Sequence, residues 1–166
     1  MVGVAHAQAV HGLKKVAILD FDVHHGNGDA EIAWSDPSRL YVSTHESPSF
    51  PGTGTQRGRD GPHRNVINEP LPAGAGSWQF RNAWRWRLLP AIRAFQPEAI
   101  FLSSGFDAHK DDPLSSTRLT DADFQWLTAE VAALGRPIVS VLEGGYNVDV
   151  LERSVRTHLK TLIQGR

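Results

Sequence analysis

Short apolar segments rich in β-branched residues alternate with helical segments along this chain of 166 residues, and this alternation is its strongest constraint on the fold. The apolar segments are Val16–Val23, Leu40–Thr44, Ala99–Ser104 and Pro137–Leu142. Turn residues bound each of them, which is typical of strands buried in a parallel sheet. The order of elements predicts a three-layer α/β/α fold whose mainly parallel sheet is covered by helices on both faces.

The helical segments are predicted from apolar periodicity and end signals. They are the opening residues up to Gly12, then Asp29–Trp34, Ser77–Phe95, Thr120–Leu134 and Val148–Ile163. The chain has five tryptophans, which we interpret as core residues because those in helices occur at helical spacing. Residues 45–63 are rich in Gly, Pro and polar residues, and so long an irregular loop is usually functional or disordered. Asn65–Asn68 is predicted to form a short extended piece.

The composition limits the classes of function. A chain of this length suits one domain spanning residues 1–166. Lys and Arg number 17 against 18 Asp and Glu with no block of like charge, which argues against a nucleic-acid or membrane partner. Without cysteine, any zinc site must use His and carboxylate ligands, as catalytic sites do. No apolar run is long enough for a membrane span and no signal peptide is recognisable, so a cytoplasmic location is expected.

The segment Leu19–Gly28, LDFDVHHGNG, carries the densest cluster of polar residues. On an extended strand, Asp20, Asp22 and His24 would share one face, because side chains two apart point the same way. Asp22 and His24 would then lie roughly 6.6 Å apart along the strand, close enough to converge on one metal ion. Asp20 lies further back and suits a supporting role or a neighbouring site. The alternation turns His25 to the opposite face.

Two further residues, Asp107 and Tyr146, follow the predicted strands that end near Ser104 and Leu142. Open α/β sheets place their ligand crevices at the carboxyl ends of the strands, so these residues are expected to meet Asp22 and His24 there. Two carboxylates and one imidazole leave a fourth zinc position open, as hydrolytic sites require. Taken alone, Asp107 would more often be a helix cap and Tyr146 a half-buried core residue.

The motifs DFDVHHGNG, SSGFDAHKDDPL and LEGGYN together resemble the zinc-dependent histone deacetylase family, in particular its class II and bacterial amidohydrolase branch, which includes acetylpolyamine amidohydrolases. The resemblance implies an arginase/deacetylase-like fold, a zinc ion on Asp22, His24 and Asp107, and an oxyanion stabilised by Tyr146. It also implies that acetyl-lysine or an acetylated polyamine is the substrate, with Phe50 and Gly144 at its binding site. A structural monovalent cation, usually potassium, is implied as well, held by backbone carbonyls of Asp20, Asp22, His24 and Thr44 together with the Ser43 hydroxyl.

The resemblance covers only the carboxyl-terminal part of the family's domain, so residues 1–166 are expected to form a partial deacetylase-like domain lacking the amino-terminal portion. In the family, a tandem pair of histidines further upstream transfers protons, and no such pair precedes Val16. The chain by itself is therefore expected to be inactive or weakly active. A homo-oligomer or a missing amino-terminal segment is the predicted partner, because lost strands would expose a sheet edge.

Two alternatives remain open at this point. The sequence DAHKD at Asp107–Asp111 resembles the metal sites of arginase- or agmatinase-like dimanganese hydrolases. Against that alternative, a two-metal cluster requires more converging carboxylates. The other alternative is a degenerate, non-catalytic binding domain that retains the metal crevice.

Overall fold

The computed structural model describes residues 2–165. Its strands are β1 (Val16–Asp20), β2 (Arg39–Glu46), β3 (Gly58–Asp60), β4 (Val66–Leu71), β5 (Ala99–Ser104) and β6 (Ile138–Leu142). Its helices are α1 (Val2–His11), α2 (Asn27–Trp34), α3 (Ser77–Ala83), α4 (Leu89–Phe95), α5 (Asp121–Ala132) and α6 (Val148–Gln164), with a π-helical turn at Trp84–Leu88 between α3 and α4.

The strands form a six-stranded sheet in the order β3-β4-β2-β1-β5-β6. All neighbouring pairs are parallel except β3 with β4. The central strand β1 is buried along its whole length because it has neighbours on both sides and helices on both faces. The predicted three-layer fold with a mainly parallel sheet is confirmed.

Two apolar cores lie against the sheet. The larger one contains Phe21, Phe80, Trp84, Phe106 and Phe124 and joins the sheet to α3, α4 and α5. The smaller one, on the other face, includes Val4 of α1 and Ala30 and Ala33 of α2. The carboxyl ends of β1, β5 and β6 run into the loops that carry the candidate site.

The structure differs from the sequence prediction in several details. The predicted strand Val16–Val23 ends at Asp20, and the predicted helix Ser77–Phe95 is interrupted by the π-helical turn. The interpretation of the tryptophans as core residues is correct for Trp84, which is fully buried, and wrong for Trp78 and Trp86, which are 75% and 71% exposed. These two residues lie on the solvent side of the helical segment, where the apolar periodicity does not distinguish them. Among residues 2–165, no helix combines the length and apolar character needed to span a membrane.

Candidate metal centre

The chain leaves the sheet after β1 because the side chains of Asp20 and Asp22 form hydrogen bonds with the backbone that follows them. The Asp22 N–H donates to Asp20 Oδ1 at 3.1 Å, and the His24 N–H donates to Asp22 Oδ1 at 2.8 Å. Each aspartate thus binds the backbone two residues onward, in competition with the ladder hydrogen bonds of the sheet. Asp22 and His24 are therefore held on a loop, and the prediction that a strand presents them on one face is wrong.

Asp107 reaches the same place from the loop after β5. Its Oδ1 accepts a hydrogen bond of 2.9 Å from the Val23 N–H, which ties the two loops together. His24 Nδ1 lies 3.1 Å from both Asp22 Oδ1 and Asp107 Oδ2. Potential ligand atoms of the three residues lie within 4.8 Å of one another, so the structure brings together the three predicted zinc ligands.

The charges of this cluster favour a cation. Burial, and after it the charge of Asp107, raises the pKa of Asp22 to about 6. Contact with the Asp107 carboxylate, more than with that of Asp22, raises the pKa of His24 to about 9. Asp107 Oδ2 is buried, and its contact with His24 is not aligned as a hydrogen bond. Because a buried carboxylate oxygen without a hydrogen bond is costly, this donor set fits a metal ion.

Gly144 closes one side of the cluster by close backbone approach. Its N–H donates to Asp22 Oδ2 at 2.8 Å. A Cβ atom at this position would lie 2.1 Å from Asp107 Oδ2 and 2.6 Å from Asp22 Oδ2. Only glycine therefore leaves room for both carboxylates. The family resemblance implies a substrate contact at Gly144, whereas the structure shows that this residue packs against the predicted metal ligands.

Tyr146 and Phe50 lie at the open side of the cluster, in a cavity of 660 Å³ that also contains Asp22, His24 and Leu114. The Phe50 ring is exposed and meets the His24 ring edge to face, with centroids 6.3 Å apart. Partial burial and the carboxylates of Asp107 and Asp22 raise the pKa of Tyr146. Its phenol therefore keeps its proton at neutral pH and is available as a hydrogen-bond donor.

Asp20 is not part of the three-residue cluster. Its Oδ2 accepts a hydrogen bond of 2.7 Å from the Tyr41 hydroxyl, and burial raises its pKa well above the usual range. Of the other residues predicted at the potassium site, Ser43 Oγ lies 2.9 Å from His45 Nδ1, and Thr44 Oγ1 accepts from Trp84 Nε1. Because the expected ligands are mainly backbone carbonyls, these side-chain contacts leave the potassium ion a prediction.

His25 points away from the cluster, as the sequence predicts. Its Nδ1 lies 2.8 Å from Thr53 Oγ1 and its Nε2 lies 3.1 Å from Asn68 Oδ1. Burial lowers its pKa, so the ring is neutral, donating to Asn68 and accepting from Thr53. This pairing anchors the long loop over the sheet.

The sequence prediction missed the role of Asp112. Its Oδ2 accepts from the Tyr146 N–H at 2.8 Å, and its Oδ1 accepts from the Leu114 N–H at 2.9 Å. The loop that carries Asp107 thereby holds the loop that carries Tyr146. The signal in the sequence is Asp112-Pro113-Leu114, part of the motif SSGFDAHKDDPL that carries the family resemblance.

Comparison with known proteins assigns the family. The model of the histone deacetylase domain matches residues 1–162. Over 93% of its length, the chain is 44% identical to histone deacetylase 10, chloroplastic, of Oryza sativa subsp. japonica, of which it covers 36%. It is 37% identical to histone deacetylase 14, chloroplastic, of Arabidopsis thaliana, covering 40% of that protein. The chain thus spans less than half the length of these relatives.

Solved structures agree with this assignment. The HD domain of HDA15 superimposes with a TM-score of 0.90 at 35% identity, covering 98% of this chain and 48% of the solved one. An acetylpolyamine aminohydrolase from Burkholderia pseudomallei gives a TM-score of 0.82, also at 35% identity, covering 94% of this chain and 47% of the other. Sequence, fold and the match to the family model together place the chain in the histone deacetylase family.

Proposed function

We propose that this chain carries the metal centre of a zinc-dependent amide hydrolase that removes acetyl groups from acetylated amines. The observation that supports it most directly is the convergence of Asp22, His24 and Asp107, with a buried oxygen of Asp107 left without a hydrogen bond. Zinc binds carboxylate oxygens and imidazole nitrogens, and catalytic zinc sites have three protein ligands with a fourth position open to water or substrate.

The roles of the residues follow from their positions. Zinc held by these three side chains would supply Lewis acidity to polarise an amide carbonyl and lower the pKa of water. Tyr146, with its phenol protonated, donates a hydrogen bond to the substrate oxygen as negative charge develops there. Gly144 keeps Asp22 in place through its N–H.

The substrate class follows from the cavity and the relatives. Phe50 and Leu114 are exposed apolar side chains at the cavity, suited to the methylene stem of an acetylated lysine or polyamine. Relatives are named histone deacetylases and, among solved structures, an acetylpolyamine aminohydrolase. Both substrates present the same amide on a similar tether.

Residues 1–166 alone are proposed to hydrolyse such amides weakly. Hydrolysis needs a group that takes a proton from water and passes it to the leaving amine. Of the described residues lining the cavity, the imidazoles are His24 and His25, and both ring nitrogens of His25 have protein partners. Losing a general acid or base typically costs about 10²- to 10⁴-fold in rate.

A dimanganese site is the less favoured alternative. It would draw on His109 and Asp111 in addition to Asp107. The His109 ring is buried and stacks on Phe124, with centroids 6.4 Å apart, and its Nδ1 accepts from the Asp111 N–H. The Asp111 carboxylate pairs with Lys110 and Arg153. These contacts hold both side chains in a structural network outside the cluster of potential ligands.

Metal analysis tests the proposal. The purified chain is stripped of metal, dialysed against zinc or manganese, and its metal content is measured. We expect one zinc per chain, lost in Asp107→Asn and kept in the control Asp111→Asn, which alters an exposed carboxylate of the same loop. Two manganese ions per chain would support the dimanganese alternative and contradict the zinc proposal.

Hydrolysis is measured on a fluorogenic acetyl-lysine peptide and on N-acetylputrescine. The zinc-loaded chain is expected to turn over slowly, and Tyr146→Phe is expected to remove that turnover without changing zinc content. Zinc binding with activity unaffected by Tyr146→Phe would overturn the role of Tyr146. Rapid turnover would show that residues 1–166 need no further proton-transfer group.

A further inference from the structure

A second cavity, of 340 Å³, lies between the end of β4 and the helical segment that begins with α3. No described residue lines both this cavity and the one that contains Asp22 and His24. We call it the tryptophan groove. The residues that give it its chemistry are Arg57 of the long loop, Glu69 of β4, Trp78 and Asn82 of α3, and Trp86 and Arg87 of the π-helical turn.

Two of the tryptophans face this groove. Trp78 and Trp86 are both more than two-thirds exposed, whereas Trp84 between them is fully buried and donates to Thr44 Oγ1 at 3.0 Å. A single exposed apolar side chain is ordinary, but two indoles at one cavity form an apolar patch of the kind that marks interaction sites. Trp86 also belongs to a π-helical turn, a feature frequently found at functional sites.

A buried carboxylate lies behind the groove. Side chains alternate along β4, so Glu69 shares a face with Ile67 and Leu71, which belong to the larger apolar core. Glu69 is only 1% exposed, and a carboxylate so placed requires cationic partners. Arg57 Nε lies 3.2 Å from Glu69 Oε2, and Arg87 Nε contacts Glu69 Oε1. Glu69 therefore holds two guanidinium groups at the groove.

The groove carries an excess of positive charge. Glu69 is the sole carboxylate among the described residues that line it, against the guanidinium groups of Arg57 and Arg87. These two side chains are 57% and 50% exposed, so their outer N–H groups are accessible. Glu69 Oε1 accepts no aligned hydrogen bond, so the contact with Arg87 does not engage the donors of that guanidinium. A guanidinium fork matches the geometry of a carboxylate.

We propose that the tryptophan groove binds a small aromatic carboxylate, with its ring packed on the indoles of Trp78 and Trp86 and its carboxylate paired with Arg57 and Arg87. The volume of 340 Å³ suits a free molecule with one ring and a short acid chain. Aromatic rings pack favourably on one another, and guanidinium–carboxylate pairs are among the stronger hydrogen-bonded contacts. Glu69 is the positioning residue that orients the two arginines. The proposal does not depend on the metal centre.

Binding is measured on the metal-stripped chain by NMR of the tryptophan indole N–H signals. The probe is 3-phenylpropionate, compared with 3-phenylpropionamide, which lacks the charge, and propionate, which lacks the ring. We expect saturable shifts at Trp78 and Trp86 with a dissociation constant of about 1 mM or lower for 3-phenylpropionate. Binding of the other two should be at least about tenfold weaker. The signal of Trp34, on α2, should not move. Equal affinities for the acid and the amide, or no saturable shift, would overturn the proposal.

A charge-removing variant tests the arginines. In Arg57→Gln/Glu69→Gln/Arg87→Gln the carboxylate is removed with its cations, so that no buried charge is left unpaired. This variant should bind the acid no more tightly than the amide, and retained amide binding shows that the groove is folded. The matched control Glu152→Gln/Arg156→Gln removes an exposed ion pair of α6 and should keep the wild-type preference for the acid. Wild-type affinity for the acid in the triple variant would contradict the proposal.

A second variant tests the ring contact and the identity of the occupant. Trp78→Ala/Trp86→Ala should weaken binding of the acid and of the amide at least about tenfold. Light scattering should show a monomer, and a dimer that dissociates in this variant would overturn the proposal in favour of a second copy. A dipeptide ending in phenylalanine with an acetylated amino terminus should bind no better than 3-phenylpropionate. Tighter binding would overturn the assignment to a free acid in favour of a peptide carboxyl terminus.

Discussion

The backbone N–H of Tyr146 donates to Asp112 Oδ2 at 2.8 Å, so the loop bearing one predicted metal ligand also fixes the loop bearing the candidate oxyanion donor. Asn147 adds a second link, since its Nδ2 donates to Asp111 O at 2.9 Å. Neither bond uses a side chain that was predicted to act on the substrate. The relative position of Asp107 and Tyr146 is therefore set by hydrogen bonds between the side chains of Asp112 and Asn147 and the backbone of the facing loop.

Asp112→Ala removes the acceptor of both the Tyr146 and the Leu114 N–H groups. We expect it to lower the free energy of unfolding by about 1–3 kcal/mol, because partly buried donors lose their partner. Urea denaturation measures the loss, and hydrogen exchange should be faster at the Tyr146 amide. The control Asp111→Ala alters an exposed residue and should change stability by less than about 0.5 kcal/mol. Equal losses in the two variants would refute the positioning role.

Gly144→Ala should abolish zinc binding. The added Cβ would lie 2.1 Å from Asp107 Oδ2, so the carboxylates must move apart. Gly28→Ala is the matched control: Gly28 lines the same cavity, lies in α2, and has no atom within 4 Å of an added Cβ. Isothermal titration with zinc should give no binding for the first variant and unchanged affinity for the second. Wild-type affinity in Gly144→Ala would contradict this geometry.

Metal removal should destabilise the folded chain. Zinc that binds the native cluster of Asp22, His24 and Asp107 stabilises it by about 2.7 kcal/mol when free zinc is 100-fold above the dissociation constant. The midpoint temperature of thermal unfolding should therefore rise when zinc is added and return to its original value when EDTA removes the zinc. In Asp107→Asn the melt should not respond to zinc, and a persisting shift would place the ion elsewhere.

His158 should make stability depend on pH. Burial lowers its pKa from 6.5 to about 4, with the ring held between Thr128 and Ser140. Above about pH 6.5 the ring is neutral in both states and its contribution to stability is complete. Between about pH 6.5 and pH 4 only the unfolded chain takes up the proton. The free energy of unfolding therefore decreases as the pH is lowered, by up to about 3 kcal/mol.

Urea denaturation between pH 7 and pH 4.5 measures this change in the free energy of unfolding with pH. His158→Gln should reduce this pH dependence and leave the part that comes from other groups with shifted pKa values, among them His45, whose pKa burial also lowers to about 4. The control His63→Gln changes an exposed ring and should keep the wild-type slope. An unchanged slope in His158→Gln would show that another group titrates.

The location of the site was predictable from sequence because it depends on local order along the chain. Asp22, Asp107 and Tyr146 each follow a strand, and parallel strands end at one rim. The conformation that joins them was predicted wrongly, since the alternation of Asp20, Asp22 and His24 is equally compatible with a strand and with successive aspartate turns. Only the hydrogen bonds of Asp20 and Asp22 to the backbone distinguish the two.

The sequence by itself determined the α/β class, the order of its elements and the candidate ligands, because apolar periodicity and residue type are local properties. Tertiary structure alone decided which contacts are made between distant segments. It sets Gly144 against the carboxylates of Asp22 and Asp107, links Asp112 to Tyr146, and leaves the apolar strand β6 at an edge. These features depend on distances between residues far apart in the chain, which no local pattern encodes.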